Sequence, residues 1–321
     1  MNWKEGSYKF YGYREYISRI DHKKTMLDSF RPIPSTLSNK LKESLYLEWT
    51  YNSNGIEGNT LSLRETQLVV QHGLTISGKA LREHLEVINH QDAIEYVEEI
   101  VSDQFNLKLS DIKNIHSLIL QRIEKEFVGR FRLHPVRISG ANFTPPEAIH
   151  VPGLMDDLMH WLENESSDIH PILKATIFHH RFVWIHPFID GNGRTVRICF
   201  NLLLMKEGFP PGIILKNDRK KYYSALDEAN KGDYSKLFLM VLQSIERSLD
   251  IYLGILNNTF HDYKPIQDIV NEPDVPYSQE YVSLLARRGR IDAYKDGRDW
   301  LTTKSAVKEY IQTRKRVRKL S

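Results

Sequence analysis

The spacing of apolar positions along this chain is helical almost throughout. Leu41, Leu45 and Trp49 recur four apart behind Pro34 and Ser35, which suit a helix start, and predict a helix that stops at Asn54-Gly55. "KALREHLEVINHQDAIEYVEEIVSD" repeats the pattern, and "LSDIKNIHSLILQRIEKE" opens on Ser110-Asp111 as an N-cap and runs amphipathically to Glu126. The texture then changes. In "GRFRLHPVRISGANFTPPEAIHV", Val136 and Ile138 alternate with polar residues ahead of Gly140 and Pro145-Pro146, which predicts a short β-hairpin or flap. Helical spacing resumes in "GLMDDLMHWLENESS" and "HPILKATIFHHRFVWI", returns in "VRICFNLLLMKEG", and continues from "KKYYSALDEAN" to about Asn257-Asn258.

Beyond a turn-rich "NEPDVPYS", the last segment reads as a helix ending at Gly289, a hairpin turning at Lys295-Asp296-Gly297, and a helix with a basic tail. The expected fold is mainly α, in three units: a helical N-terminal region over 1–104, a helical core over 105–258 and a small module over 264–321.

Composition narrows this only slightly. The 321 residues carry a net charge of +3, too mild to imply nucleic acid. The single cysteine, Cys199, excludes an intrachain disulfide and reads as a small core residue. The polar, aromatic N-terminus does not resemble a signal peptide, and no run approaches the roughly twenty apolar residues of a membrane span. A cytoplasmic protein with no membrane partner is the expectation.

The chemistry concentrates in "HPFIDGNGRTVR", His186 to Arg197. Pro187 breaks a helix, and Gly191 and Gly193 allow a tight turn whose N–H groups can converge on an anion. The next helix begins there, so its positive end points the same way. Arg194 and Arg197, three apart, share one face of it. Together these describe a polyphosphate site. His186 can take a proton from an attacking hydroxyl, and Asp190 offers a hard oxygen to Mg²⁺. No GxxxxGK(S/T) occurs, so a P-loop is excluded. His179, His180, His186 and Asp190 also allow a metal-hydrolase reading, which would leave the turn and both arginines without a role.

The stretch is similar to the signature of the Fic family, HPFx(D/E)GNGRxxR, at every fixed position. "GRFR" with "VRISGANFTPPEAIHV" resembles that family's flap, "KKYYSALDEAN" resembles its base-contacting helix, and the likeness covers about residues 1–255. The resemblance implies a Fic-type helical core that moves AMP from ATP to a Ser, Thr or Tyr hydroxyl of a protein, itself included, with pyrophosphate released. It implies that His186 is the catalytic base and that Phe188 anchors the loop. It puts Asp190 on Mg²⁺, and the backbone of Gly191, Asn192 and Gly193, with the Asn192 side chain, on the α- and β-phosphates. Arg194 would meet the β-phosphate region and Arg197 the γ-phosphate. Tyr223 and Asn230 would contact base and ribose, with Tyr222 adjacent to blur the choice. The flap, Val136, Arg137, Ile138, Ser139, Gly140, Ala141, Asn142 and Phe143, would pair with the target as an added strand.

Far upstream, "SNGIEG" matches the family's inhibitory pattern (S/T)xxxE(G/N). By resemblance, Ser53 and Glu57 belong to an inhibitory helix whose Glu57 reaches Arg197 and blocks the γ-phosphate position. The last segment loosely resembles winged helix-turn-helix modules, whose basic residues could meet DNA; docking of a target is the other use. Relatives are often homodimers. Three functions stay open: AMP transfer, AMP removal at the same site with Glu57 positioning a water, and a DNA-binding regulator with a nucleotide-sensing core.

Overall fold

The computed structural model describes residues 10–102, 104–138, 143–257 and 262–320. Its helical part is arranged around one buried helix, α8 (Asn192–Lys206). Val196, Ile198, Cys199 and Leu202 of α8 face a cluster built by α2 (Ser35–Ile56), α4 (Leu81–Ile100), α5 (Leu109–Leu120) and α7 (Pro171–Ile185). Phe200 and Leu204 face a second cluster, with α1 (Arg14–Ser29) and α10 (Ser235–Leu256). A helix that packs apolar residues into two separate clusters has to be central, and the residues just before it inherit a rigid footing. Cys199 is fully buried, as its reading as a core residue requires, and burial pushes its thiol up.

Around this axis, α3 (Leu63–His72) opens on a capping box between Ser62 and Glu65, and α6 (Val151–His160) packs on α7. Helix α9 (Arg219–Ala229) leans on α10, its Tyr222, Ala225 and Leu226 forming a small cluster with Ile56, the last residue of α2.

The C-terminal residues form a three-stranded antiparallel sheet in the order β1 (Lys264–Pro265), β3 (Asp299–Thr302), β2 (Ala293–Asp296). Helices α11 (Ile266–Val270), α12 (Gln279–Arg287) and α13 (Lys304–Leu320) accompany it. Ile266, Ile269, Val282, Leu285 and Val307 give it a core of its own. It is tied to the helical part by charge. Lys23 of α1 reaches Asp250 of α10 at 2.5 Å and Asp292 at 2.6 Å. Arg247 of α10 holds Glu48 of α2 through both oxygens, at 2.8 and 3.1 Å, and donates Nε to the Lys295 carbonyl of β2.

Three expectations change. Helix α2 does not stop at Asn54-Gly55 but runs through both to Ile56. Asn54 bonds back to the Thr50 carbonyl, and Gly55 is where the Lys216 stem lies against the helix: an added Cβ would stand 2.5 Å from Lys216 Cδ. Helix α5 ends at Leu120, six residues before Glu126, because Asn89 takes the carbonyls of Ile119 and Gln121. In the flap, Ser139 to Asn142 lie outside the described residues, and the described residues beside them, 135–138 and 143–147, belong to no strand.

Candidate functional site

Helix α7 ends on His186, which turns into the left-handed region at φ 51° and closes on the Phe182 carbonyl. The loop from Pro187 to Gly191 is then fixed from both sides. Phe188 is fully buried and stacks on the His116 ring of α5 at 3.7 Å between centroids. The Asn192 side chain grips the Phe188 backbone twice, accepting its N–H at 2.9 Å and donating to its carbonyl at 2.8 Å. The Asn192 side chain thereby closes the loop, and Asn192 also lines the cavity. Gly191 takes φ 77°, which strains any residue with a Cβ, and caps α8. The first N–H groups of α8 therefore open into the cavity with no partner inside the helix.

His116 is a part of the site that sequence reading missed. Its Nδ1 accepts from the Gly129 N–H at 2.9 Å and its Nε2 meets the Asp190 carbonyl at 3.0 Å. Burial lowers its pKa to about 4, so the ring is neutral and Nε2 carries the proton. Arg132, of the "GRFR" stretch, is equally hidden from pattern. It is almost fully buried, donates Nε to the His186 carbonyl at 2.8 Å, and also reaches the carbonyls of His134 and Pro146. One guanidinium thus ties both ends of the flap to the end of α7.

The resulting cavity, of about 280 Å³, is lined by His186, the 189–194 loop, Arg197, Glu57, Tyr223 and Asn230, with Arg137, Ile138 and Phe143 on the flap side. Burial lowers the His186 pKa to about 4, so its imidazole is neutral at ordinary pH. Its Nδ1 is buried without a well-formed hydrogen bond among the described residues, although the Val183 carbonyl nearby holds the pKa up in part.

The two arginines are held differently. Arg197 is buried and held through Nε and Nη2. It donates Nε to Ser53 Oγ at 3.0 Å, and Nη2 to the Ser53 carbonyl at 2.8 Å and to Glu57 Oε1 at 2.7 Å. Burial pulls its pKa down, but Glu57 and the two tyrosines outweigh it and the net shift is upward. Gly193 makes room for this contact, since a Cβ there would collide with the Glu57 carboxylate. Arg194 lies 3.4 Å from Glu86 of α4 and 3.5 Å from Asp190, and keeps Nε and Nη1 buried with no hydrogen-bond partner among the described residues. Both acids are near enough for ion pairing but not for hydrogen bonds to these two atoms, and buried donors are costly until an acceptor meets them.

Asp190 accepts from its neighbour Gly191 at 2.6 Å, and Arg82 of α4 donates to its Oδ2 at 2.7 Å. Burial raises its pKa, but Arg194, the Gly191 N–H and Arg82 prevail and it stays ionised. Arg82 and Glu86 were not legible as site residues. The metal-hydrolase reading fails, because its histidines are spent elsewhere. His179 bonds Tyr222 at 2.9 Å, and His180 bonds Tyr234 at 2.7 Å and Asn230 at 2.9 Å. Among the described residues no group of three or more His, Cys, Asp or Glu side chains could hold a metal. Tyr222 and Tyr223 both border the cavity. Tyr222 is buried and bonded to His179, while the half-buried Tyr223 donates to the Ile56 carbonyl at 3.3 Å.

Away from this cavity, the end of α12 is tied to the helical part through its backbone, while the Arg287, Arg288 and Arg290 side chains are exposed. Gln243 of α10 donates to the Arg287 carbonyl at 3.0 Å, and Arg19 of α1 to that of Gly289 at 3.2 Å. No helix among the described residues is long and apolar enough to cross a membrane.

A model of the Fic/DOC family matches residues 106–204. The chain is 37% identical over 241 residues to a Drosophila virilis protein named "Protein adenylyltransferase Fic", covering 75% of this chain and 49% of that protein. It spans about half the length of the curated relatives it matches. Among solved structures, a Fic-1 chain from C. elegans is similar with a TM-score of 0.68 and 31% identity, covering 77% of this chain and 73% of that one. A Fic-domain-containing signalling protein from Bacteroides thetaiotaomicron matches with a TM-score of 0.65 and 25% identity, covering 76% and 97%.

Proposed function

Because this chain belongs to the Fic/DOC family, we propose that it is a self-inhibited protein adenylyltransferase. It moves AMP from ATP to a Ser, Thr or Tyr hydroxyl of a protein and releases pyrophosphate. The name that the relatives carry supports this. The observation that carries it is local: a neutral imidazole, an anion-seeking helix start and Arg197 share one cavity, and Arg197 is already gripped by an anion of the same chain.

In this reading His186 Nε2 accepts the proton of the target hydroxyl as its oxygen attacks the α-phosphorus. The bond to the pyrophosphate oxygen breaks on the opposite side. Negative charge builds along the triphosphate, where the α8 N-terminus and Arg194 meet it. Arg194 has buried donors to give. The flap presents the target, with Arg137, Ile138 and Phe143 lining its approach. Tyr223 and Asn230 take the base and ribose.

Asp190 fits a divalent cation that arrives with the nucleotide: it is ionised, half-exposed and beside the phosphate path. One carboxylate with waters and phosphates suits Mg²⁺, which would neutralise part of the triphosphate charge. Arg82 would have to give up Asp190 Oδ2 first. Glu57 on Arg197 keeps the γ-phosphate position closed in the resting state.

The test uses intact-mass analysis of the full chain carrying Glu57→Gly, incubated with ATP, Mg²⁺ and candidate targets. Addition of AMP is expected, and His186→Ala in the same background should lower its rate by about 10²–10⁴ while ATP still binds. Transfer at an undiminished rate without His186 would remove its assigned role. Absence of any AMP adduct in the Glu57→Gly chain, with loss of AMP from a modified target in the parent, would establish the reverse reaction instead.

A further inference from the structure

His180 is almost fully buried in α7 and has no part in the chemistry above, yet both its ring nitrogens are engaged. Nδ1 lies 2.7 Å from the hydroxyl of Tyr234, which precedes α10, and Nε2 lies 2.9 Å from Oδ1 of Asn230, which ends α9. The geometry points to a relay, Tyr234 to His180 to Asn230, that fixes the Asn230 amide so that its NH₂ group is offered to the nucleobase. The cavity then selects a base edge that presents an acceptor. The inference deepens the nucleotide reading and rests on it.

The proton count follows from the atoms. Asn230 Oδ1 can only accept, so His180 Nε2 carries the proton. Burial holds the ring neutral, with a pKa lowered to about 4, which leaves Nδ1 as a lone pair. The Tyr234 hydroxyl therefore donates to Nδ1. Its ring stands edge-on to His180 at 4.9 Å and stacks on Phe238 at 5.4 Å, so the hydroxyl is held in place. With Oδ1 committed to His180, the group that Asn230 has left to offer the cavity it lines is its pair of N–H donors. An amide without such a clamp turns over and offers either end. His180 is thus a positioning residue for base selection, three helices being joined to aim one NH₂ group.

The experiment measures binding of ATP and of ribose triphosphate, which lacks a base, to the full chain carrying Glu57→Gly. His180→Leu removes the relay, whereas His180→Gln keeps an acceptor and a donor at similar separation. His180→Leu is expected to weaken ATP about three- to tenfold, the worth of a lost neutral hydrogen bond, with ribose triphosphate unchanged; His180→Gln should restore most of the loss. Asn230→Asp, which cannot donate, should lose the preference for ATP over ribose triphosphate. Equal weakening of both ligands by His180→Leu, or a preference kept in Asn230→Asp, would overturn the relay. If the Glu57→Gly parent bound neither ligand, the nucleotide reading itself would fall, and that result is distinct from an intact parent with an indifferent His180→Leu.

Discussion

Two helices from the N-terminal half reach the same loop, and they do it in opposite ways. From α2, Glu57 and Ser53 seize Arg197, whose side chain is 5% exposed. From α4, Arg82 meets Asp190, and there both side chains are more than half exposed, at 57% and 52%. The distances are equal, 2.7 Å in each case. Distance therefore cannot rank them; solvent does. A buried guanidinium deprived of its partner is left uncompensated, whereas an exposed pair exchanges one set of partners for water and ions. The first contact has the makings of a latch and the second of a loose cover.

The largest expected difference comes from separating the two members of the buried pair. Glu57→Gly should raise AMP transfer, and Arg197→Ala should abolish it, with the double variant as inactive as the second. Holding about 99% of molecules closed needs roughly 2.7 kcal/mol, within the range of one charge-assisted bond to a buried arginine. Release should thus accelerate transfer up to about a hundredfold. Initial rates with labelled ATP decide it. Equal rates for Glu57→Gly and the parent, with Arg197→Ala dead, would reduce Glu57 to a bystander.

A smaller effect separates the two regions by pH. Burial, with Arg197 adding to it, lowers the pKa of His179 to about 3 and that of His90 well below its ordinary value. Burial likewise lowers His116, His180 and His186 to about 4. These rings are neutral in the folded protein and protonated below about 6.5 in the unfolded chain. The unfolded state thus binds more protons, so the stability they contribute is complete above pH 6.5 and is lost as pH falls towards 4. Melting temperatures should decline across that window. Asp190 is held below its ordinary value and stays ionised through it, so the Arg82 contact should persist where the buried side weakens. A flat melting profile from pH 7 to 4 would contradict the buried neutral histidines.

The smallest effect belongs to Arg82→Ala. Half-saturation with Mg²⁺ should shift by about two- to threefold towards lower concentration, as an exposed pair is worth little. The shift should vanish in high salt, where exposed charges are screened. A tenfold or salt-independent shift would place Arg82 among the buried contacts and erase the distinction drawn above.

What the sequence conveyed about this site follows the same division. Residues whose role depends on local spacing were legible: the 186–197 loop, the arginines three apart, and the Ser53–Glu57 pattern, all three meeting at one cavity. Residues whose role depends on a distant partner were not. Arg82 and Asp190 lie 108 positions apart, and His116 and Asp190 lie 74 apart. Nothing in the surroundings of Arg82 or His116 distinguishes them from a surface arginine or a core histidine. The Asn192 side chain has a second task that its neighbours do not suggest: it binds the backbone four residues earlier. Helix ends were misplaced where a tertiary contact, such as the Lys216 stem on Gly55 or the Asn89 amide on α5, overrode local signals.

The grip of α2 on Arg197 has a further meaning in the language of ligands. The Ser53 carbonyl and the Glu57 carboxylate give one guanidinium two anionic or partly anionic oxygens, at 2.8 and 2.7 Å, as a phosphate would. The end of α2 is in that sense a competitor carried by the protein itself. A tether sets its effective concentration, which for short connections is in the millimolar range. Dilution does not lower it. On the proposed reading, free nucleotide would compete with a rival whose concentration is built into the chain, and the degree of rest would be the same for one molecule as for many.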